Sequence, residues 1–177
     1  MKSQTHNNSR ELAPRPSPLG HIIGRTKDGY VVFDRTYSHA HTTGALLAEA
    51  LRRVSLLGRP FTKECVDFGH EIGTSDCVAT MADDKIVFAQ CPGRNGPTRF
   101  VEHRKPESCS SMILLLKRGA ENGAAYVLIT AFIGSAAEPE PWDRHATAAA
   151  REFWSRHALV WGTCPVIPGT RTEVCPW

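Results

Sequence analysis

The chain has 177 residues, 41% of them hydrophobic, and a formal net charge of +3 at pH 7. That length suits one domain with tails, and so mild a positive balance does not by itself call for nucleic acid. No apolar run comes near the ~18 residues of a membrane span. The N-terminus has no apolar leader core, so the sequence reads as cytoplasmic with no membrane partner.

Residues 1–19 are polar and hold three prolines, a composition expected to stay disordered. "HIIGRTKDGYVVFDR" then predicts a hairpin, because Ile22-Ile23 and the run Tyr30 to Phe33 flank the turn signal Lys27-Asp28-Gly29. The period changes next. Leu46, Leu47, Ala50, Leu51, Val54 and Leu57 recur every three or four residues, and Gly58 and Pro60 follow, which predicts a helix over 42–57. Short apolar pieces at 64–68, 76–80, 85–91 and 99–103 read as strands between turns. Strands at 111–118 and 125–133 are joined by the hairpin loop "GAENG". In the last element Asp143 is placed to cap a helix. Its apolar stripe runs through Ala146, Ala150, Phe153, Trp154, His157 and Trp161 to a stop at Gly162.

This order predicts an α+β fold: an N-terminal hairpin and helix, an antiparallel sheet of about four to five strands, and a C-terminal helix. The domain covers 20–162. Residues 163–177 hold three prolines and read as a tail, or as a strap if Trp177 docks. Repeats and phosphate-cradling glycine loops are absent. None of the six cysteines forms a C-x-x-C pair, so a structural zinc site is not expected and the thiols read as reduced. Cys164 and Cys175 could pair in an exported chain.

Several residues could carry chemistry. His70 lies between two glycines in "FGHEIG", and an imidazole there could act as a general base. Its bland alternative is a surface-loop histidine. "CPGRNGPTRFVEHRK" gathers Arg94, Arg99, His103 and Arg104. On a strand over 98–103, Arg99, Val101 and His103 share one face, where guanidinium could hold phosphate. A cluster of this kind is otherwise a solvated face. Thr130 shares a predicted strand face with Tyr126, Leu128 and Phe132, and means something only if that face meets the other candidates. His157 sits on the apolar stripe of the last helix, where a packed core residue is the ordinary reading. His39 and His41 with His70 form a weak metal-binding pattern.

A helix followed by strands that close on "MILLLKRGAENGAAYVLITAFIG" resembles the barnase–EndoU–colicin–RelE-like ribonucleases. The phrase Thr130-Ala131-Phe132-Ile133-Gly134 matches a T-A-[FY]-x-G-like ending in that superfamily. The resemblance covers residues 42–134, and the segment from Glu138 to Gly162 lies outside it. It implies metal-independent endoribonuclease chemistry without a cofactor, in which the 2′-hydroxyl attacks the adjacent phosphate. By the same resemblance His70 is base or acid, Arg99 holds the phosphate, and Thr130 hydrogen-bonds a phosphate oxygen. His157 or His103 supplies the second proton transfer, and Arg94, His103 and Arg104 contact substrate. RNA is the implied partner, with a cognate inhibitor protein if the chain is a toxin or prophage-derived effector. Two other functions are carried alongside: a non-catalytic RNA- or protein-binding module, and a metal-dependent hydrolase using His39, His41 and His70.

Overall fold

The computed structural model describes residues 20–40, 44–119, 123 and 125–177, with the backbone alone for 35–40. The expectation for 1–19 and the candidate His41 lie outside these residues. The elements are β1 (His21–Arg25), β2 (Val31–Ala40), α1 (Gly44–Arg53), β3 (Phe61–Asp67), β4 (Gly73–Ser75), β5 (Cys77–Ala79), β6 (Ile86–Gln90), β7 (Pro97–Val101), β8 (Glu107–Cys109), β9 (Ser111–Arg118), β10 (Ala125–Ile133), α2 (Ala148–Arg156) and β11 (His157–Val160).

The α+β arrangement follows the predicted order of strand pair, helix, strands and C-terminal helix. The turn of the first hairpin has a second task. Asp28 accepts hydrogen bonds from Ser55 Oγ and from the amides of Leu56 and Leu57. Those amides are thus taken from any helical continuation. Leu57 also adopts a positive φ of 52°, which is costly for a branched side chain. The helix predicted over 42–57 therefore ends at Arg53. Its Leu47, Ala50 and Leu51 are buried at helical spacing, and Gly24 of β1 lets Leu51 come within van der Waals contact of the sheet.

Five strands form the main sheet in the order β1-β2-β10-β9-β3. The β9–β10 hairpin is antiparallel, as its loop predicts, but β10 runs parallel to β2 on its other side. The sheet is therefore mixed. That pairing joins segments about 90 residues apart, and no local pattern encodes it. Val32, Leu51, Leu56, Met112, Leu114, Leu116, Tyr126 and Leu128 make the core beneath α1.

A second sheet, β5-β11-β7-β6, stands beside the first, with β4 and β8 paired alone between them in sequence. Its strand β11 corrects the predicted C-terminal helix. The helix stops at Arg156, and His157 is already extended with φ −129° and ψ 154°. Ala158 and Val160 then bury one face while Leu159 packs on the other, a period of two that takes over from the helical stripe. Asp143 does not cap α2. The N-cap is Thr147, and Asp143 Oδ1 accepts instead from the amide of His145. Residues after Gly162 form a strap on β6. Phe88 and Thr172 exchange backbone hydrogen bonds of 2.7 and 2.8 Å, Arg171 pairs with Glu102, and Trp177 packs edge-on against Phe88.

Candidate functional site

β10 carries the phrase that gave the chain its resemblance, and it is bulged. Leu128 faces Leu116 and Thr130 faces Leu115, so the register shifts at Ile129. One extra residue reverses the alternation beyond it. Ala131 and Ile133, not Thr130 and Phe132, therefore join Tyr126 and Leu128 in the core. The face predicted for Thr130 is corrected on that ground: it lies half-buried on the face opposite Tyr126 and Leu128, still in company with Phe132.

The other candidates are dispersed. His70 is exposed, with Nδ1 donating to Phe68 O at 3.1 Å in its Nδ1–H tautomer. Arg99 projects from β7 in the second sheet. His103 falls beyond the end of β7 at a positive φ of 62°, so it does not share the Arg99 face. Arg104 is committed to Asp84 and Glu107. His157 stacks its ring on Phe153, with centroids 4.0 Å apart, and its Nδ1 is hydrogen-bonded to Phe153 O. His39 is described by backbone alone. Among the described residues no group of three His, Cys, Asp or Glu side chains is placed to hold a metal ion.

Two clefts organise what remains. The larger, about 910 Å³, lies where Phe132, Ile133 and Gly134 meet β4–β5, Trp154 and the segment after β11. It contains Arg94, which donates to Thr98 Oγ1 and pairs with Glu140 at 2.8 Å. Burial raises the Glu140 carboxyl above its ordinary range despite that pairing, and its Oε1 is buried without a hydrogen-bond partner. Asp76 is also raised by burial, and Cys77 is pushed up to about 11 for the same reason. With Asp76, Glu138 and Glu140 against one guanidinium already paired, this cleft disfavours a phosphate.

The smaller cleft, about 470 Å³, has the opposite balance. Arg99 and Arg151 line it with Ile86, Phe88, Trp154 and Trp177, against the single acid Glu173. Arg99 Nη1 donates to His157 O at 2.6 Å and to Thr80 Oγ1 at 3.2 Å. The half-buried arginines of the described chain are Arg94, Arg99 and Arg104. Arg94 and Arg104 have carboxylate partners, whereas among the described residues Arg99 hydrogen-bonds neutral acceptors and feels Asp84 only at longer range. Burial depresses the Arg99 pKa, with Cys175 and Asp84 opposing the shift, yet a guanidinium remains charged at physiological pH. Neutral acceptors fix its direction without cancelling its charge.

Sequence reasoning found Arg99 here but missed Arg151 and the aromatic wall. Arg151 lies on the wet side of α2, where an arginine carries no local signal, and only the strap brings Trp177 to it. No protein-family model, curated protein or solved structure matches the chain.

Proposed function

We propose that the protein is a single-stranded RNA-binding module, with the Arg99–Arg151 cleft as its phosphate site. The observation that carries this reading is the half-buried Arg99 guanidinium, oriented by His157 O and Thr80 Oγ1 and, among the described residues, with no carboxylate in hydrogen-bonding contact. Burying a cation costs free energy unless an opposite charge compensates it. A bound phosphate would supply that charge through paired hydrogen bonds. The half-exposed Trp177 adds a π surface on which a base can stack, worth about 1–3 kcal/mol per base. Binding without turnover is favoured over cleavage. Transesterification needs a base and an acid at the phosphate, and the described residues of this cleft include no imidazole.

The test is a fluorescence-anisotropy titration of the full chain with a labelled single-stranded RNA in EDTA, followed by electrophoresis of the recovered RNA. Binding with intact RNA, weakened about tenfold or more by Arg99→Ala, is the expected outcome. Absence of binding at low salt overturns the reading. RNA cleaved in EDTA would instead favour the metal-independent endoribonuclease.

A further inference from the structure

Cys91 and Cys164 are 73 positions apart in the chain, and their sulfurs lie 3.6 Å apart. Both are free thiols. Cys91 directly follows β6 and is buried, whereas Cys164 follows β11 and is half-exposed on the wall of the larger cleft. The backbone on either side is already aligned. Ile167 N donates to Gln90 O at 2.8 Å, and Gln90 N donates to Thr170 Oγ1 at 3.0 Å. A disulfide has a bond length of ~2.04 Å, so the sulfurs need approach by only about 1.6 Å. Cys175, the partner that chain position favours for Cys164, instead directs its thiol to Trp177 O. The Cys77 thiol bonds Ser135, and that of Cys109 is held by Ser111.

We propose that Cys91 and Cys164 are a redox modification site, converted by low-molecular-weight disulfides into an intramolecular disulfide that staples the C-terminal strap to the end of β6. Oxidised glutathione is the representative oxidant. The accessible Cys164 loses its proton and attacks one glutathione sulfur, forming a mixed disulfide and releasing one glutathione thiolate. Cys91 then loses its proton and attacks the Cys164 sulfur, and the second glutathione leaves as thiolate. Two protein thiols are oxidised, one small disulfide is reduced to two thiols, and the two cysteine protons end on the released glutathiones. Burial and the neighbouring Cys91 hold the Cys164 thiol up at about 11, so the first step is slow near neutral pH and the pair survives brief exposure to oxidant.

The experiment incubates the full chain in oxidised or reduced glutathione, quenches with acid, alkylates free thiols and maps unreduced peptides by mass spectrometry. A thermal melt of each sample accompanies the map. The expected product is a Cys91–Cys164 cross-link, two hydrogens lighter than the reduced peptides, with a melting temperature several degrees higher because a long loop is closed. Cys164→Ser removes both effects and leaves glutathione adducts on the exposed Cys65 and Cys175. Should that variant fail to fold, Cys164→Ala and the wild-type map decide. Alkylation of both Cys91 and Cys164 after Cys65 and Cys175 have reacted overturns the proposal, as does a Cys164–Cys175 link.

Discussion

Asp28 illustrates how one turn residue can fix a fold. Its carboxylate ties the first hairpin to the end of α1 through Ser55, Leu56 and Leu57. Burial pushes its pKa up, but the hydrogen bonds from Thr26, Leu57, Ser55 and Leu56 outweigh it and hold the value at about 2. The folded pKa thus lies below the unfolded value of 3.8, so this stabilisation is whole above that pH and is lost as pH falls towards 2. Asp28→Ala is expected to cost about 1–2 kcal/mol in urea unfolding at pH 6, and the gap from wild type should narrow below pH 3.8 and close only as pH falls through about 2. Gly96 is a second fixed point. A Cβ there would sit 2.3 Å from Cγ of Trp142, whose Nε1 donates to Pro97 O at 2.9 Å. Gly96→Ala should therefore displace Trp142 and destabilise by about 1–3 kcal/mol, read by thermal melting and by a shift in tryptophan emission.

At the scale of elements, α2 anchors the meeting of the two sheets through Trp154. The ring is buried, its Nε1 donates to Glu138 O and Pro139 O, and it forms part of the wall of both clefts. Trp154→Ala is expected to cost about 3–5 kcal/mol, whereas Trp154→Phe keeps most of the packing and loses about 1 kcal/mol of hydrogen bonding. Denaturant unfolding distinguishes the two. The elements that the sequence made legible are those with local patterns: α1 by its three- and four-residue spacing, and the β9–β10 hairpin by its loop. β11 was hidden because Phe153, Trp154 and His157 extend a helical stripe into it, and four residues are too few for a period of two to stand out. The bulge at Ile129 was hidden for a related reason. Alternation looks regular along β10 alone, and the shift shows only against its neighbours, between Leu116 and Leu115 of β9 and between Asp34 and His39 of β2.

At the scale of the whole molecule, charge is sorted between two clefts rather than spread over one face. The larger takes Asp76, Glu138 and Glu140 against Arg94, and the smaller takes Arg99 and Arg151 against Glu173. A net charge of +3 conceals that division, because composition has no geometry. Arg99 was legible as a candidate through its place on a strand beside Phe100. Its surroundings were not, since Arg151 and Trp177 reach it from α2 and from the C-terminal strap. The expected gathering of His70, Arg99 and Thr130 required a single sheet. With two, Arg99 lines the smaller cleft while His70 and Thr130 line neither.

The most direct measurement is the salt dependence of RNA affinity for wild type and Arg151→Ala. Arg151 is exposed on α2, so its loss should leave the melting temperature unchanged. For a phosphate contact on a single strand, the slope of log affinity against log salt should fall in magnitude by about 0.7. Equal slopes for the two proteins, or binding indifferent to salt, would contradict the placement of an RNA phosphate in this cleft.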